Sequence, residues 1–376
     1  MTTPEHWENP PAVDVDYGIW RPEHLTLRAH TRAWLDEHVA AHVDDWEAAG
    51  AVPRELFTAA GAAGLFGWKL PTAIGGRGPD FLADAVVTEE MAGCWSGGTA
   101  AALGAHKDLG PYYVYRFGTD EQRARWVPDF LRGTSVGALG VTEPGAGSDV
   151  AGLRTKAVRD GDDWVLDGSK TFITNGGWAD VLVIAAVTDP EQGGHHGMSL
   201  FVVERGDPGF SSQRIDTLGW RISSTATLTF DGVRLPADRL LGGEAMLGKG
   251  FVAIMHNFQW ERVAMALGAV RSSEAVVAMG VLPAELVAEV AAARALTYRA
   301  LRGFVAGDDV VRETSMAKWY TCELAVRVCE AALEAGGWSA LAGGRLERKL
   351  RDARLGPIGG GTTEIMKEVV GRGYGF

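Results

Sequence analysis

The 376-residue sequence has little of what would place it outside the cell or in a membrane. Its three cysteines, Cys94, Cys322 and Cys329, form neither a close-spaced metal motif nor an even set of disulfides. No run approaches about eighteen uninterrupted apolar residues, so no transmembrane helix is predicted. The first twenty residues are acidic, contain three prolines and lack the basic start and apolar core of a signal peptide. We therefore expect a cytoplasmic protein with no membrane insertion.

Positive charge is also scarce, because 36 lysines and arginines face 48 aspartates and glutamates, for a formal net charge of -12. Such a chain is a poor partner for nucleic acid or for an anionic membrane surface. An anionic small molecule is still permitted, since it needs only a few local cations. The content of 46% hydrophobic and 22% charged residues is that of an ordinary globular protein.

Hydrophobic periodicity divides the chain into three segments and predicts an α+β protein of order α-β-α. Residues 1–133 have helical spacing and predict an N-terminal α-helical domain. Residues 134–239 contain short β-type runs separated by turn signals, which predict a small antiparallel barrel or sandwich. Residues 240–376 return to helical spacing and predict a C-terminal helical bundle. The turn signals are the pairs Asp160-Gly161, Asp167-Gly168 and Asp231-Gly232.

The most informative motif is the stretch 141–149, with the sequence VTEPGAGSD. Gly145 and Gly147 leave backbone N–H groups free to face an anion or a polar ring edge, and Thr142 and Ser148 add hydroxyl donors. The stretch is not a Rossmann fingerprint, because it lacks the third glycine and the βαβ context, and no Gly-Lys-Ser/Thr of a P-loop follows it. A glycine-rich turn with no ligand is the alternative.

A second motif, residues 168–176, places two apolar side chains beside a hydroxyl. Phe172 and Ile173 could cover a flat aromatic ligand, while Thr174 offers a hydrogen bond to the edge of such a ring. An ordinary buried strand that ends in an Asn-Gly turn is the alternative.

A third motif near the C-terminus combines three glycines with two threonines. Gly360 and Gly361 precede Thr362, which reads as a helix N-cap, with Glu364 in the first turn. A helix N-terminus stabilises negative charge or a polarised oxygen, although a bare cap needs no ligand.

Glu261 lies in a predicted helix that is apolar on nearly all sides. It shares a helical face with Phe258 and Met265, and Trp260 and Val263 make the rest of the turn apolar. Such a helix is buried, and burial favours the protonated carboxyl group, which suits a general base that works near neutral pH. A structural ion pair between Glu261 and a cation of a neighbouring chain is the alternative.

Taken in this order on an α-β-α chain, these stretches resemble the acyl-CoA dehydrogenase family over nearly the whole sequence. Residues 142–149 match the family's flavin and substrate motif at every position. Ile173 and Thr174 with the following Asn175 match its second flavin motif, and Phe172 stands where many members carry Trp.

The resemblance implies that FAD binds between the β domain and the C-terminal helices. The implied FAD contacts are Leu139, Val141, Thr142, Gly147, Ser148, Phe172, Ile173, Thr174, Gly361, Thr362 and Glu364. It also implies that Ser148 and Arg262 border the channel for an acyl thioester. No metal is expected, because the pair His195-His196 lies in a polar hairpin loop.

The family places its catalytic base at one of two positions. Many members carry it in the C-terminal loop, where this chain has Gly360, whereas long-chain and isovaleryl types carry it in a Glu-Arg pair like Glu261-Arg262. The resemblance therefore implies that Glu261 removes an α-proton while a hydride leaves the β-carbon for the flavin. The backbone N–H of Gly360 and a flavin ribityl hydroxyl would stabilise the thioester oxygen.

The chain departs from the family after the base helix. Relatives carry Arg-x-x-Phe-Gly and a later Gln that reach FAD in a neighbouring subunit, and here residues 271–283 lack them. The segment is shorter by roughly twenty residues, or about 30 Å of helix. The family's Gln-x-x-Gly-Gly survives as residues 333–337, with Leu333 in place of Gln.

Three classes of function follow from these observations. The first is dehydrogenation of an acyl-CoA or acyl-carrier thioester to the trans-2-enoyl product, with an electron-transfer flavoprotein as a candidate acceptor. The second is a flavin oxidase or monooxygenase of the same fold. The third is a weakly flavinated subunit of a hetero-oligomeric dehydrogenase. The resemblance implies a homo-oligomer, a dimer or tetramer, and permits a hetero-oligomer.

Overall fold

The three segments predicted from periodicity form three blocks of structure, which confirms the α+β class and the α-β-α order. The computed structural model describes residues 17–341 and 344–376. The first block contains α1 (Pro22–Leu35), α2 (Val43–Ala49), α3 (Glu55–Ala62), α4 (Phe81–Gly93), α5 (Gly97–Asp108), α6 (Gly110–Phe117) and α7 (Asp120–Arg132). Within the described ranges, none of the helices combines the length and apolar content that a membrane crossing requires.

The helices of the first block begin and end where the sequence supplies caps. The Asp80 carboxylate accepts hydrogen bonds from the N–H groups of Leu82 and Ala83, both at 3.0 Å, and so begins α4. Thr119 and Gln122 form a reciprocal capping box at the start of α7, and Gly133 ends that helix with a φ of 68°. Local chemistry therefore sets the start of α4 and both ends of α7.

The second block is one curled, mostly antiparallel sheet. Its strands are β1 (Gly137–Gly140), β2 (Lys156–Asp160), β3 (Asp163–Ile173), β4 (Val181–Val187), β5 (Met198–Glu204), β6 (Phe210–Arg214) and β7 (Ala226–Leu235), with the short helix α8 (Gly193–His196) between β4 and β5. The strand order is β1-β4-β2-β3-β7-β6, and β5 pairs with β4. β1 runs parallel to β4, a detail that periodicity did not predict. β4 is continuously apolar because both of its faces are buried.

Two of the three Asp-Gly turn predictions are wrong. Gly161 does lie in the turn between β2 and β3, but Gly168 lies inside β3 and Gly232 inside β7. Both of the latter glycines have positive φ, 141° and 59°, and the β3–β7 register shifts beside Gly168. The Asp167 carboxylate accepts a hydrogen bond of 2.8 Å from the N–H of Gly232. These pairs are therefore bulges that face each other across two long strands. A bulge, like a turn, can require a residue with positive φ, which glycine adopts readily.

The third block contains α9 (Gly250–Val277), α10 (Ala284–Ala306), α11 (Val311–Leu341, broken at Gly337), α12 (Arg345–Ala353) and α13 (Thr363–Gly373). Only residues 278–283 join α9 to α10. α9 packs against α4 on one side and against α10 and α11 on the other, so it is the central helix of the protein.

A buried ion network fastens α1 and α9 to α4. Glu89 and Glu90 of α4 are fully buried, and Arg28 donates to both of them, at 2.8 and 2.7 Å. Arg32 donates to Glu90 at 3.0 Å, and Arg271 of α9 lies 3.7 Å from the same carboxylate. Burial alone would raise the pKa of Glu90, but these arginines hold it below its usual value.

Arg294 extends the network from α4 to α10. Its guanidinium donates to the Glu274 carboxylate of α9 and to the Tyr298 hydroxyl, and that hydroxyl donates to Glu89 at 2.8 Å. All four side chains are buried. Because a buried charge that loses its partner has no water to replace it, removing one member exposes the full desolvation cost of the others.

We predict that Arg294→Met lowers the free energy of unfolding by about 3–5 kcal/mol, since Glu274 then stays buried without the cation to which it is hydrogen-bonded. Arg372→Met is the matched control, because it removes an exposed pair with Glu368 and should cost less than about 1 kcal/mol. Urea unfolding followed by circular dichroism measures both. Equal stability of the two variants would show that the network does not hold α10 to α4.

Candidate active site

The two glycine-bearing motifs of the β block lie side by side. The N–H of Thr171 donates to the carbonyl of Thr142 at 2.9 Å, which joins the end of β3 to the loop after β1. The fully buried Lys170 donates to the carbonyl of Val141 at 3.0 Å and to the Glu143 carboxylate at 2.7 Å. Residues about thirty positions apart in the chain therefore form one surface.

The Glu143 carboxylate holds the first motif, residues 141–149, in place through its hydrogen bonds. It also accepts from the N–H groups of Arg154 and Thr155, at 2.8 and 2.9 Å. Burial opposes its charge, but Lys170 and these donors hold the pKa of Glu143 below its usual value, while burial lowers the pKa of Lys170 to about 8. We did not single out this pair from the sequence; a lysine in the middle of an otherwise half-apolar strand was the available signal.

The surface formed by the two motifs presents hydrogen-bond donors with no protein acceptor. In the part of the chain that the structure describes, the hydroxyls of Thr142, Ser148 and Thr174 and the N–H of Gly147 have no hydrogen-bond partner. A Cβ added at Gly147 would meet nothing within 4 Å, so the backbone there is open to an approaching group. Donors of this kind fit the carbonyls, ring nitrogens and phosphates of a flavin nucleotide.

Phe172 has an unusual conformation for a bulky residue. Its φ is 58°, in the left-handed region that such residues rarely adopt, and 65% of its side chain is exposed. The β3–β7 register shifts between Lys170 and Ile173, so a bulge holds Phe172 in this conformation. An exposed apolar ring on a strained backbone is typical of a ligand site, and its shape suits a flat ring system.

The other predicted cofactor residues divide by burial. Val141 and Ile173 are buried in apolar clusters, so only their backbone groups could reach a ligand. Leu139 is half-buried in β1. Thr362 caps α13 by accepting from the N–H of Ile365 at 3.4 Å. Val141 and Ile173 would therefore bind a ligand through the main chain, and Thr362 acts as a helix cap.

Gly361 and Glu364 lie at the same helix start. Gly361 has a φ of 98° and is half-buried. Glu364 is exposed, and hydrogen bonds to the helix N-terminus hold its pKa below the usual value. The positions agree with a site at the N-terminus of α13, and their contact with a cofactor stays a prediction.

Glu261 lies on α9 with one carboxylate oxygen, Oε2, fully buried. That atom has no hydrogen-bond partner in the described residues. Burial raises the pKa of Glu261 to about 7; Arg262 and Lys318 oppose the increase and Asp108 adds to it. A carboxyl group that is about half ionised at neutral pH can both accept and release a proton there.

Gly360 lies beside the Glu261 carboxylate. A Cβ at position 360 would be 3.6 Å from Glu261 Oε1, so the two positions that the family uses for its base meet at one point in this chain. The same Cβ would lie 2.4 Å from the sulfur of Met265, which fills the remaining space. The N–H of Gly360 has no acceptor among the described residues and is free to donate to a substrate oxygen.

Arg262 is buried next to the base. Its Nε has no hydrogen-bond partner in the described part of the chain, and burial lowers its pKa against the influence of Glu261. Ser148, by contrast, is exposed on the β side. No direct contact joins the two residues, so their shared role beside an acyl channel stays a prediction.

Comparison with known proteins identifies the family. Three family models match in order: the acyl-CoA dehydrogenase N-terminal domain at residues 21–134, the middle domain at 138–233 and the C-terminal domain at 278–375. The long-chain specific mitochondrial acyl-CoA dehydrogenase of Sus scrofa is 37% identical over 396 positions, which cover 98% of this chain and 91% of that protein. An acyl-CoA dehydrogenase of Bacillus subtilis is 31% identical, with 93% and 97% covered.

Solved structures agree with the sequence comparison. An acyl-CoA dehydrogenase from Geobacillus kaustophilus matches with a TM-score of 0.90 and 34% identity over 95% of this chain and 99% of that one. A probable acyl-CoA dehydrogenase from Mycobacterium abscessus matches with a TM-score of 0.89 and 36% identity over 94% and 99%. The chain therefore belongs to the acyl-CoA dehydrogenase family. It is an oxidoreductase of the class that acts on CH–CH groups.

The comparisons also bear on the short connection between α9 and α10. The alignment with the Sus scrofa protein spans 396 positions, more than the 376 residues of this chain, so that relative has residues that this chain lacks. The C-terminal family model begins at residue 278, directly after α9. Neither observation locates those residues, so a helical hairpin that is shortened at its tip, residues 278–283, stays a prediction.

We predict that Gly360→Ala lowers the free energy of unfolding by about 1–3 kcal/mol, because its φ of 64° is left-handed and the new methyl group meets Met265. Gly206→Ala is the control, since a Cβ there would meet nothing within 4 Å.

A double-mutant cycle with Met265→Ala should recover the steric part of this loss and leave the backbone part. Thermal unfolding of the four proteins gives the coupling. Simple additivity of the two substitutions would contradict the proposed contact between position 360 and Met265.

Proposed function

We propose that the chain is an FAD-dependent dehydrogenase that converts an acyl thioester to its trans-2-enoyl thioester, with Glu261 as the base. The observation that carries the proposal is the half-buried Glu261, whose Oε2 is fully buried and whose pKa is raised to about 7, directly beside the glycine at the family's other base position. The family supports FAD as the cofactor. The free donors of Thr142, Gly147, Ser148 and Thr174, together with the exposed ring of Phe172, fit that cofactor.

Bound FAD would supply the acceptor for the hydride that leaves the substrate β-carbon. The protein itself would supply the base and the hydrogen-bond donor. Glu261, in its ionised form, takes the α-proton, and burial then favours the neutral acid that results. The free N–H of Gly360 donates to the thioester oxygen as negative charge develops on it. A Cβ built on Gly360 would lie 3.6 Å from Glu261 Oε1, so the proposed donor and the proposed base are neighbours, which supports their pairing at one substrate.

A flavin oxidase is the second candidate. The structure of prolyl acyl carrier protein oxidase AnaB matches this chain with a TM-score of 0.85 and 27% identity, over 95% of this chain and 100% of that one. An oxidase would reoxidise its reduced flavin rapidly in air, whereas a dehydrogenase would need a protein or artificial acceptor. Stopped-flow mixing of the reduced protein with air-saturated buffer separates the two candidates. The thiol carrier, CoA or a carrier protein, is decided by screening both thioesters.

The electron acceptor is a partner that we also propose from similarity. A chain in a structure described as the electron transferring flavoprotein of Acidaminococcus fermentans matches with a TM-score of 0.88 and 30% identity, over 96% and 99% of the two chains. We propose an electron-transfer flavoprotein as the acceptor for the dehydrogenase.

We predict that Glu261→Gln lowers the rate of flavin reduction by at least about a hundredfold, because the amide cannot accept the α-proton. Thioester binding should survive, since shape and hydrogen bonding are kept. The measurement is anaerobic stopped-flow absorbance of the FAD-reconstituted protein.

Glu274→Gln is the control for this substitution. It changes a buried glutamate of the same helix that faces Arg294 instead of the site. It should lower stability and leave the reduction rate of the folded protein within a few fold. A wild-type rate in Glu261→Gln would assign the proton to another group.

The shortened α9–α10 hairpin predicts weaker FAD binding than in relatives that carry the full segment. Loss of even one charge-assisted hydrogen bond, about 1.5–3 kcal/mol, weakens binding roughly ten- to a hundredfold. Calorimetric titration of the apoprotein, with light scattering for its assembly state, measures the affinity. Nanomolar FAD binding by a homo-oligomer of this chain alone would show that other residues replace the missing contacts.

A further inference from the structure

Lys318 is a fully buried lysine that lies outside the sequence motifs and has no role in the proposed mechanism. It lies on the face of α11 that packs toward the glycine loop before α13. Its ammonium group donates a hydrogen bond to the carbonyl of Gly361. In the described ranges this is the one side-chain hydrogen bond that reaches the backbone of residues 359–361.

The loop needs such an anchor because its glycines constrain it little. Gly360 and Gly361 both have left-handed φ, 64° and 98°, and glycine visits many other conformations at little cost. The N–H groups of both residues lack a backbone acceptor in the described structure. The bond from Lys318 therefore fixes the strip of main chain that contains the proposed donor to the substrate oxygen.

The same ammonium group interacts with the base. The charged and titratable groups around Glu261 come from four elements: Arg262 on α9, Asp108 on α5, Tyr113 on α6 and Lys318 on α11. Asp108 already pairs with two lysines, and Arg262 is rigidly placed as the next residue of the same helix. Lys318 differs from them because it is bonded to the loop as well.

Few of the charged groups around Lys318 compete with Glu261 for the interaction with its ammonium group. Its electrostatic neighbours are Cys322 and Glu323 on its own helix, and Glu261 and Arg262 on α9. Glu323 is engaged with Trp319, which donates to it at 2.8 Å. The strongest remaining anionic partner is therefore the Glu261 carboxylate.

We propose that Lys318 is a positioning residue that ties the Gly360–Gly361 loop to α11 and, through its positive charge, favours the ionised form of the Glu261 carboxyl group. One side chain then positions the donor to the substrate oxygen and influences the charge state of the base. The proposal rests on the proposed function for its catalytic meaning, but its geometric and electrostatic parts concern this chain alone.

The two effects separate by pH. A nearby cation favours the ionised carboxylate, so removing it raises the pKa of Glu261 above about 7 and moves the acid limb of the rate profile to higher pH. Above that limb the base is ionised in every variant. A loss of rate that persists at this higher pH is therefore due to the loop that Lys318 no longer holds, and not to the missing charge.

The test compares Lys318→Met, Lys318→Arg and a matched control, Lys349→Met, in the FAD-reconstituted full chain. Lys349 is a second buried lysine, on α12, and its electrostatic neighbours are Cys329, Cys94, Asp352 and Arg271, not Glu261. Flavin reduction is followed from pH 5.5 to 9.5 with a thioester that reduces the wild type.

For Lys318→Met we expect the acid limb to move up by less than about one pH unit, with a loss of rate below it of less than roughly tenfold, because Lys318 acts on the Glu261 carboxyl group more weakly than Arg262 does. A further loss of several fold should persist above the limb. Lys318→Arg should keep the limb near its wild-type position, and Lys349→Met should lose stability without moving it.

A second readout is independent of catalysis. The carboxyl band of Glu261 in infrared difference spectra, wild type minus Glu261→Gln, is titrated in each lysine background. An upward shift in Lys318→Met alone supports the proposal, even if no thioester reduces the protein and the proposed function fails. An unchanged titration in folded Lys318→Met, or an equal shift in Lys349→Met, overturns it.

Discussion

The orientation of α9 depends on buried polar contacts that must all be satisfied together. Trp260 donates to Asp108 at 3.0 Å on one side, and Arg271 lies against Glu90 on another. Each of these groups would be costly to leave unpaired in the interior, so the helix has little freedom to rotate or slide. Glu261 differs from Glu274 on the same helix, because its Oε2 is buried without a partner, as is Nε of the adjacent Arg262. The paired groups thus fix the position of a carboxyl group that has no fixed partner of its own.

The two halves of the site divide the chemistry between them. The β half supplies free hydroxyl and amide donors and one exposed ring, all held by strand pairing and by the Lys170–Glu143 pair. The helical half supplies the carboxyl group and the glycine loop. Strands fix donors in space but expose them, while packed helices bury a carboxylate deeply enough to change its pKa. A reaction that removes a proton and a hydride from adjacent carbons needs both environments.

Sequence periodicity predicted the order of elements and the apolar helix around Glu261, whereas the role of Glu261 as the base was implied by the family resemblance and stays a prediction. The helix 250–277 and Glu261 within it follow from spacing that a single segment contains. The contacts of Lys318 and Met265 with the glycine loop join residues far apart in the chain, which no local pattern encodes. The bulges at Gly168 and Gly232 were misjudged as turns because a bulge and a turn require the same positive φ.

The contact between Gly360 and Met265 has a consequence for how such enzymes can diverge. A glutamate gained at position 360 would first collide with Met265, and it would then place a second carboxylate within reach of Glu261. On the proposed assignment of the base, a glutamate lost from position 261 would leave the site without a base. The two family arrangements are therefore separated by intermediates that have either two adjacent acids or none. In this chain, an exchange of one arrangement for the other would therefore involve positions 261, 265 and 360 together, because their side chains share one space.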